Sequence, residues 1–349
     1  MIARAISVNQ IPQTKTTRAK RYVLKIFPGA VLALGLAAIS IFIEQSYGGP
    51  VMLYALIVGV LFNRAAGHHY FQPGITFSAK TILKIGVALL AVKITIIDVV
   101  DLGWQTALFV VAGVSMTLTI GTVLGRALGL TKDHAVLSAG SVAICGSSAA
   151  LAIASVLPRN ERLDCNTIVT VIAVTTLSTV AMVLYPLIAS VLNFSDTQAG
   201  LFIGATIHNV AQVVGAGYIV SDPAGEIAVI VKLMRVACLV PAIIIISLMF
   251  RQKTQAVEGV KTPPPLPLFM VAFIVIMMIN SLGFIPVNVG EGFSELSRWA
   301  LVTAVAALGV KTSVKDIIGV GIRPLLALVF QTILLAMFAL FVISFILAF

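Results

Sequence analysis

The chain has 349 residues, of which 59% are hydrophobic and only 10% are charged, and its mean hydropathy is +1.09. Since a soluble domain carries about 25% charged residues, this composition excludes a water-soluble protein. It predicts an all-α polytopic membrane protein. Counted in crossings of about 20 apolar residues each, the length gives about ten or eleven transmembrane helices.

The net charge of +10 does not indicate nucleic-acid binding. The lysines and arginines lie between apolar runs, as cytoplasmic loops require, and no basic surface interleaved with aromatic residues is evident. The odd number of cysteines and their spacing predict neither a disulfide framework nor a metal site, and no cofactor motif is present. These cysteines are Cys145, Cys165 and Cys238.

The apolar runs predict eleven helices, with boundaries good to a few residues. In chain order they cover 28–44, 51–63, 77–97, 104–125, 134–157, 165–191, 198–220, 226–250, 266–283, 297–310 and 324–348. A basic tail, 1–27, precedes them and predicts a cytoplasmic N-terminus in the cell inner membrane. A proline-rich cytoplasmic linker, 251–267, divides the membrane part into a first half, 28–250, and a second half, 268–349.

With the N-terminus inside, most basic residues between helices fall on the cytoplasmic side. Arg159 and Arg162 do not, if every run crosses the membrane. The segment 134–157 therefore has a second interpretation as a re-entrant segment, and 198–220 has the same one. Sequence alone leaves both interpretations open.

An internal repeat relates the two halves. The stretch Val87–Gly103 aligns without gaps with Val305–Gly321, so that Lys93 meets Lys311 and Asp98 meets Asp316. Preceding runs come into register as well, so the second half repeats 51–125. Because the two copies run in opposite directions in the helix count, they predict an inverted repeat, the arrangement of many transporters.

The first polar segment inside an apolar run is Ser138–Ala150 (SAGSVAICGSSAA). Backbone can unwind at membrane depth only where it is buried in protein or lines a wet cavity, and the freed amides then form an anion site. Close helix packing through small residues explains the pattern equally well. The candidate binding residues here are Ser141, Cys145, Gly146, Ser147 and Ser148.

The second polar segment, Gly204–Gly217 (GATIHNVAQVVGAG), favours function over packing. It places three costly polar side chains within five residues of an apolar run. The candidate binding residues here are Thr206, His208, Asn209 and Gln212. His208 is also the candidate coupling residue, since the unperturbed pKa of a histidine, about 6.5, lets it carry a proton near neutral pH.

Basic residues inside apolar runs point to the charge of the solute. Lys232 and Arg235 share a helix face and are costly together unless an anion or a carboxylate neutralises them. Lys311 and the repeat-related Lys93 are further candidates. Because no acidic residue lies in the middle of a run, a small anion fits better than a cation.

The motifs LSAGSVAICGSSAALAIASV (137–156), GATIHNVAQVVGAG (204–217), KLMRVACLVP (232–241) and AALGVKTSV (306–314) resemble the YeiH family of proposed sulfate exporters, within the cation–proton antiporter and anion transporter superfamily. This resemblance runs over most of the chain. It implies inverted repeats with discontinuous helices, and transport of sulfate or a sulfonate. The family's polar positions fall on Cys145, Gly146, Ser147, His208, Gln212, Lys232, Arg235 and Lys311. Asn209 departs from the family, where an acidic residue is expected.

The sequence therefore predicts a secondary transporter that exports a small anion, driven by a gradient of protons or another cation, because the ATP-binding motif GxxxxGK[ST] is absent. Two alternatives stay open: an anion channel, and a membrane-embedded enzyme that uses Cys145 or a serine with His208. The expected partners are the anion, the coupling ion and the lipid bilayer, and a homodimer is allowed.

Overall fold

A computed structural model describes residues 15–250, 267–311 and 322–345. All regular structure in these ranges is helical. Seven of the helices described are long and apolar enough to cross a membrane, and three shorter ones, Val51–Leu61, Val210–Val220 and Leu268–Ser281, are also apolar. The protein is thus a multi-pass α-helical membrane protein.

The first helices partly differ from the predicted runs. Helix α1 begins at Lys15, inside the expected tail. Pro28, where the predicted helix began, lies within it. The run 77–97 stops at Lys93, where the backbone becomes extended at Ile94. The elements are α1 (Lys15–Tyr47), α2 (Val51–Leu61), α3 (Gln72–Phe77), a π turn (Ser78–Ile82), α4 (Leu83–Leu90), a 3-10 turn (Ala91–Lys93), α5 (Ile96–Asp101) and α6 (Gly103–Ala127).

The run 134–157 forms a helical hairpin, here called hairpin 1, made of α7 (Lys132–Ala143) and α8 (Ser147–Ala154). At its open end, Asn160 Nδ2 donates to Asp133 Oδ2 over 2.8 Å. A straight helix of this length would separate these two residues by tens of ångströms. Both ends of hairpin 1 therefore lie on the same side of the molecule.

The run 198–220 forms hairpin 2, made of α10 (Asp196–Thr206) and α11 (Val210–Val220). Ser221 Oγ donates to Asp196 Oδ1 over 2.6 Å and so joins its two ends. The long helix α9 (Leu163–Val191) runs between the hairpins. Both segments counted as single helices in the sequence are thus hairpins, which is the re-entrant alternative.

Five more helices complete the fold. Helix α12 packs against both arms of hairpin 2, where small residues allow close approach. A side chain at Gly204 would lie only 2.6 Å from the carbonyl oxygen of Ala228. The helices are α12 (Asp222–Ala237), which continues into α13 (Leu239–Phe250), then α14 (Leu268–Ser281), α15 (Val287–Lys311) and α16 (Ile322–Phe345).

The helices pack as two groups. The first group contains α1 to α4, α14 and α15, and the second, the hairpin group, contains α6 to α13 and α16. Helix α11 of hairpin 2 packs against α2 and α15 of the first group. In the first group α2 and α15 approach closely, because a Cβ at Gly59 would lie 2.9 Å from Gly309 Cα.

Two asparagines make corresponding contacts in the two halves of the chain. Asn63, just after α2, donates to the carbonyl of Val310 near the end of α15 over 2.9 Å. Asn280, near the end of α14, donates to the carbonyl of Ile94 just after α4 over 3.3 Å. The rest of the aligned second copy, including Asp316, and nearly all of the linker lie outside the described residues.

Candidate functional site

The tips of the two hairpins touch each other. Hairpin 1 turns at Ile144–Gly146, and hairpin 2 turns at Ile207–Asn209. Gly146 has φ +65°, a conformation that side chains rarely adopt, and a Cβ there would lie 3.4 Å from His208 Cβ. Two polar segments that are about 60 residues apart in the chain therefore form one site.

The tips lie at half the height of the long helices. The backbone amide of Asn209 donates to Ser178 Oγ over 3.0 Å. His208 Nε2 lies 3.0 Å from Thr332 Oγ1. Since Ser178 is near the middle of α9 and Thr332 near the middle of α16, both tips reach the middle of the helical bundle.

Lys232 joins the two tips through its ammonium group. Its side chain is fully buried, and Nζ donates to the carbonyl of Ile144 over 2.8 Å and to the carbonyl of Ile207 over 2.9 Å. These carbonyls stand at the C-terminal ends of α7 and α10, where the helix dipole is negative. One lysine therefore neutralises parts of two helix ends.

Arg235 contacts the same two helix ends. Its guanidinium makes five hydrogen bonds of 2.8 to 3.3 Å, to the carbonyls of Val142, Ala143, Gly204 and Ile207. A guanidinium has five N–H donors, so all of them are engaged. Among the residues that the structure describes, the cations of α12 are bonded to backbone carbonyls and to no carboxylate.

The opposite side of each tip presents a helix N-terminus. Helix α8 begins at Ser147, which is half-buried, and Ser148 beside it is exposed. Helix α11 begins after Asn209, which is half-buried. The first amides of a helix lack partners within it and carry the positive end of its dipole, so both tips offer donors to an anion.

Two buried polar atoms near the tip of hairpin 2 have no hydrogen bond. Gln212 Nε2 donates to Thr179 Oγ1 over 3.3 Å, whereas Gln212 Oε1 has no hydrogen bond. His208 Nδ1 also has none, although the residue is fully buried. Because an unmade hydrogen bond at a buried atom is costly, such atoms indicate places where water or a solute binds.

The remaining candidates lie elsewhere or make internal contacts. Ser141 donates to the carbonyl of Leu137, and Thr206 donates to the carbonyl of Phe202, as in ordinary helices. Cys145 is buried in the tip of hairpin 1. Two lysines are exposed: Lys311 at the end of α15, away from the tips, and Lys93, whose Nζ lies 3.8 Å from Glu226 Oε1.

Sequence reasoning missed four polar residues around the tips. Those of α9 had no distinguishing signal, because threonine and serine recur throughout that helix. Gln331 and Thr332 did have a distinguishing signal in the sequence, since they form a polar pair within the apolar run of α16. Gln331 Nε2 donates to Ser138 Oγ and to the carbonyl of Gly121. The four residues are Ser178, Thr179, Gln331 and Thr332.

Comparison with known proteins places most of the chain in one family. A family model described as conserved hypothetical protein 698 matches residues 28–328. UPF0324 membrane protein TauZ of Paracoccus denitrificans is 44% identical over 89% of this chain and 93% of its own. A UPF0324 membrane protein of Chlorobaculum tepidum is 42% identical over 94% of this chain and 91% of its own. No solved structure matches the chain.

Proposed function

The chain belongs to the family described as conserved hypothetical protein 698, and on that premise we propose that it is a secondary transporter of a small anion. The solute binds where the hairpin tips meet. The observation that carries this proposal is the pair of cations, Lys232 and Arg235, that neutralise both helix C-termini at the tips. Both helix N-termini of the tips are left for an anion.

The charges at the tips favour an anion over a cation. Two helix C-termini carry about half a negative charge each, against two positive side chains. Within the described residues, no hydrogen bond or ion pair joins Lys232 or Arg235 to a carboxylate. The N-termini of α8 and α11 add positive potential, so the site as a whole is positive.

The depth of the tips supports a wet site. Ser148 is exposed although the tips lie at the middle of the bundle. Backbone amides and hydroxyls at the centre of a bilayer cannot face lipid without a large cost in free energy. In this proposal water reaches Ser148 and the first residues of α8 and α11 from one side, and a hydrated anion follows the same path.

In the proposed membrane topology the chain crosses the membrane nine times and has two re-entrant hairpins. The crossings are the seven long spans together with the shorter α2 and α14. With the N-terminus inside, hairpin 1 enters from the cytoplasm and hairpin 2 from the outside. Arg159 and Arg162 then lie on the cytoplasmic side with the other loop cations, as the positive-inside rule requires.

The asparagine contacts support an inverted repeat. Asn63 and Asn280 occupy nearly equivalent positions in the two copies and bond the ends of the helices that the repeat equates, α15 and α4. A local two-fold relation in the membrane plane produces this exchange of contacts. In this arrangement the first group contains the repeated helices α2, α4, α14 and α15, whereas the repeated helices α6 and α16 belong to the hairpin group, which binds the solute.

The YeiH resemblance names the solute class, sulfate or a sulfonate, and the direction, export. Coupling in this chain falls to His208, since Asn209 stands where relatives are expected to carry an acid. Thr332 holds the ring through Nε2, and in this proposal His208 accepts the coupling proton when water or the anion enters the site.

Uptake into proteoliposomes tests the proposal. Purified protein is reconstituted, and radiolabelled sulfate, sulfite and taurine are supplied with and without an imposed pH gradient. We expect saturable uptake that responds to the gradient and falls to the protein-free level in His208→Ala. His134→Ala is the matched control, because His134 is also buried but lies near the open end of hairpin 1.

Each other outcome points to a different function. Flux that follows the anion's own gradient and ignores pH indicates a channel. If the protein catalyses a chemical reaction and Cys145→Ser abolishes it, the protein is a thiol enzyme. Absence of flux for all three anions in every condition contradicts the proposed solute class.

A further inference from the structure

A cavity of about 390 Å³ opens at the end of the molecule where hairpin 2 begins. Its wall is formed by α5, α6, α10 and α12, and the tips of the hairpins lie deeper along the same helices. The lining includes the carboxylates of Asp98, Asp101 and Glu226, and the ion pair of Glu226 with Lys93 stands at this end of α12. We call this cavity the acidic vestibule.

The acidic vestibule lies in line with a second, much smaller cavity beside Arg235. The small cavity has about 10 Å³, room for about one water molecule. On α6 the vestibule is lined by Thr106 and the small cavity by Phe109 and Gly113. These positions recur every three or four residues and therefore lie on one helix face.

Helix α10 shows the same progression. Thr197 and Leu201 line the acidic vestibule, and Ala205, one turn further, lines the small cavity. One helical turn is about 5.4 Å, so a single layer of side chains separates the two cavities. Phe109 and Leu201 belong to this layer and are both buried.

We propose that the acidic vestibule is the outer mouth of the solute route and that the layer of Phe109 and Leu201 closes it. Its carboxylates discriminate against doubly charged anions, so that within the proposed solute class a sulfonate enters more readily than sulfate. This inference rests on the proposed transport function and adds the route and its charge selectivity. Opening the layer by about one side chain joins the vestibule to the cavity at Arg235, which contacts the hairpin tips from the side of their C-terminal carbonyls.

The charge selectivity follows from the sum of charges at the mouth. The three lining carboxylates and Lys93 leave a net charge of about −2 within roughly one screening length of a solute in the cavity, and Asp222, which interacts with Glu226, makes it more negative. Such a field lowers the local concentration of a dianion more than that of a monoanion, and it leaves a zwitterion nearly unaffected. Within the described residues no group of three side chains is placed to hold a metal ion, so the carboxylates act through their field.

Thiol labelling tests the route without any transported solute. In a background with Cys145, Cys165 and Cys238 replaced by serine, Ile230→Cys places a thiol in the vestibule wall and Ala205→Cys places one in the small cavity. Right-side-out vesicles are treated with two membrane-impermeant thiosulfonate reagents, one a quaternary ammonium and one a sulfonate. We expect Ile230→Cys to react from outside, with the cationic reagent faster by about fivefold or more.

Removing the carboxylates provides the matched comparison. Asp101→Asn with Glu226→Gln should bring the two rates within about twofold of each other, whereas Asp164→Asn, an exposed acid at the other end of the bundle, should change nothing. Phe109→Ala should speed labelling of Ala205→Cys from outside by about tenfold, because it removes part of the closing layer. Retention of a single gel-filtration peak shows that each variant is folded.

Two results overturn the inference. Absence of outside labelling at Ile230→Cys shows that the vestibule is not an outer mouth, and equal rates with both reagents show that its carboxylates do not select by charge. Either result can occur while proteoliposomes still transport sulfate. Conversely, labelling as expected in a protein that transports no anion rejects the proposed function and leaves the vestibule in place.

Discussion

His208 Nε2 lies 3.0 Å from Thr332 Oγ1, and this bond joins the tip of hairpin 2 to the middle of α16. It is a contact between residues 124 positions apart in the chain. It orients the ring, so that Nδ1, which has no partner, is the nitrogen available to a solute or a proton.

Thr332→Val should therefore slow transport without unfolding the protein. Valine has nearly the same shape but no hydroxyl, so the ring loses its orientation and about 1 kcal/mol of hydrogen bonding. We expect sulfate uptake to fall about five- to tenfold, with a melting temperature within a few degrees of the parent. Thr332→Ser, which keeps the hydroxyl, should retain most activity; equal loss in both variants would contradict the orienting role.

Lys232→Met should destabilise the whole hairpin group. Both tips lose a donor to their C-terminal carbonyls, and each buried carbonyl left without a partner costs about 1–3 kcal/mol. We expect a melting temperature in detergent that is lower by roughly ten degrees, or no folded protein at all. Lys84→Met is the control, because Lys84 is an exposed lysine on α4. Unchanged stability in Lys232→Met would show that its carbonyl contacts contribute little.

Gly146→Ala should disturb the tip of hairpin 1. The residue has φ +65°, where an L side chain costs about 1–3 kcal/mol, and the added methyl group would contact His208. We expect lower thermal stability and reduced uptake together. Gly35→Ala, in α1, meets nothing within 4 Å and should be neutral or slightly stabilising, since alanine favours helix.

Cross-linking should distinguish hairpins from crossing helices. Asp196→Cys with Ser221→Cys, and separately Asp133→Cys with Asn160→Cys, should be joined by a short bifunctional thiol reagent, because each pair of side chains is already in hydrogen-bond contact. The mixed pair, Asp196→Cys with Asn160→Cys, should not. Cross-linking of the mixed pair on one chain would contradict the opposite entry of the two hairpins.

Cys145→Ser separates a transporter from a thiol enzyme. Serine keeps the size of the side chain in the buried tip but not its nucleophilicity. We expect anion uptake within about twofold of the parent. A much larger loss of uptake, with an unchanged melting temperature, would show that the thiol of Cys145 takes part in the mechanism.

Much of the site could be predicted from sequence because its residues violate a local rule. His208, Asn209 and Gln212 interrupt an apolar run, and such an interruption is visible without any partner. Ser178 and Thr179 obey the ordinary pattern of packed membrane helices, so nothing in the sequence distinguished them. Lys311, a candidate at the predicted end of a run, lies exposed at the end of α15.

The sequence by itself determined that this is a multi-pass helical membrane protein with two polar interruptions, because hydropathy is a local property of each segment. Only the tertiary structure decided that the interruptions are hairpin tips that meet. It also decided what accompanies Lys232 and Arg235, for which the sequence suggested an anion or a carboxylate. Their partners are backbone carbonyls, which every residue possesses, so no side-chain pattern could reveal which ones the folded chain brings to α12.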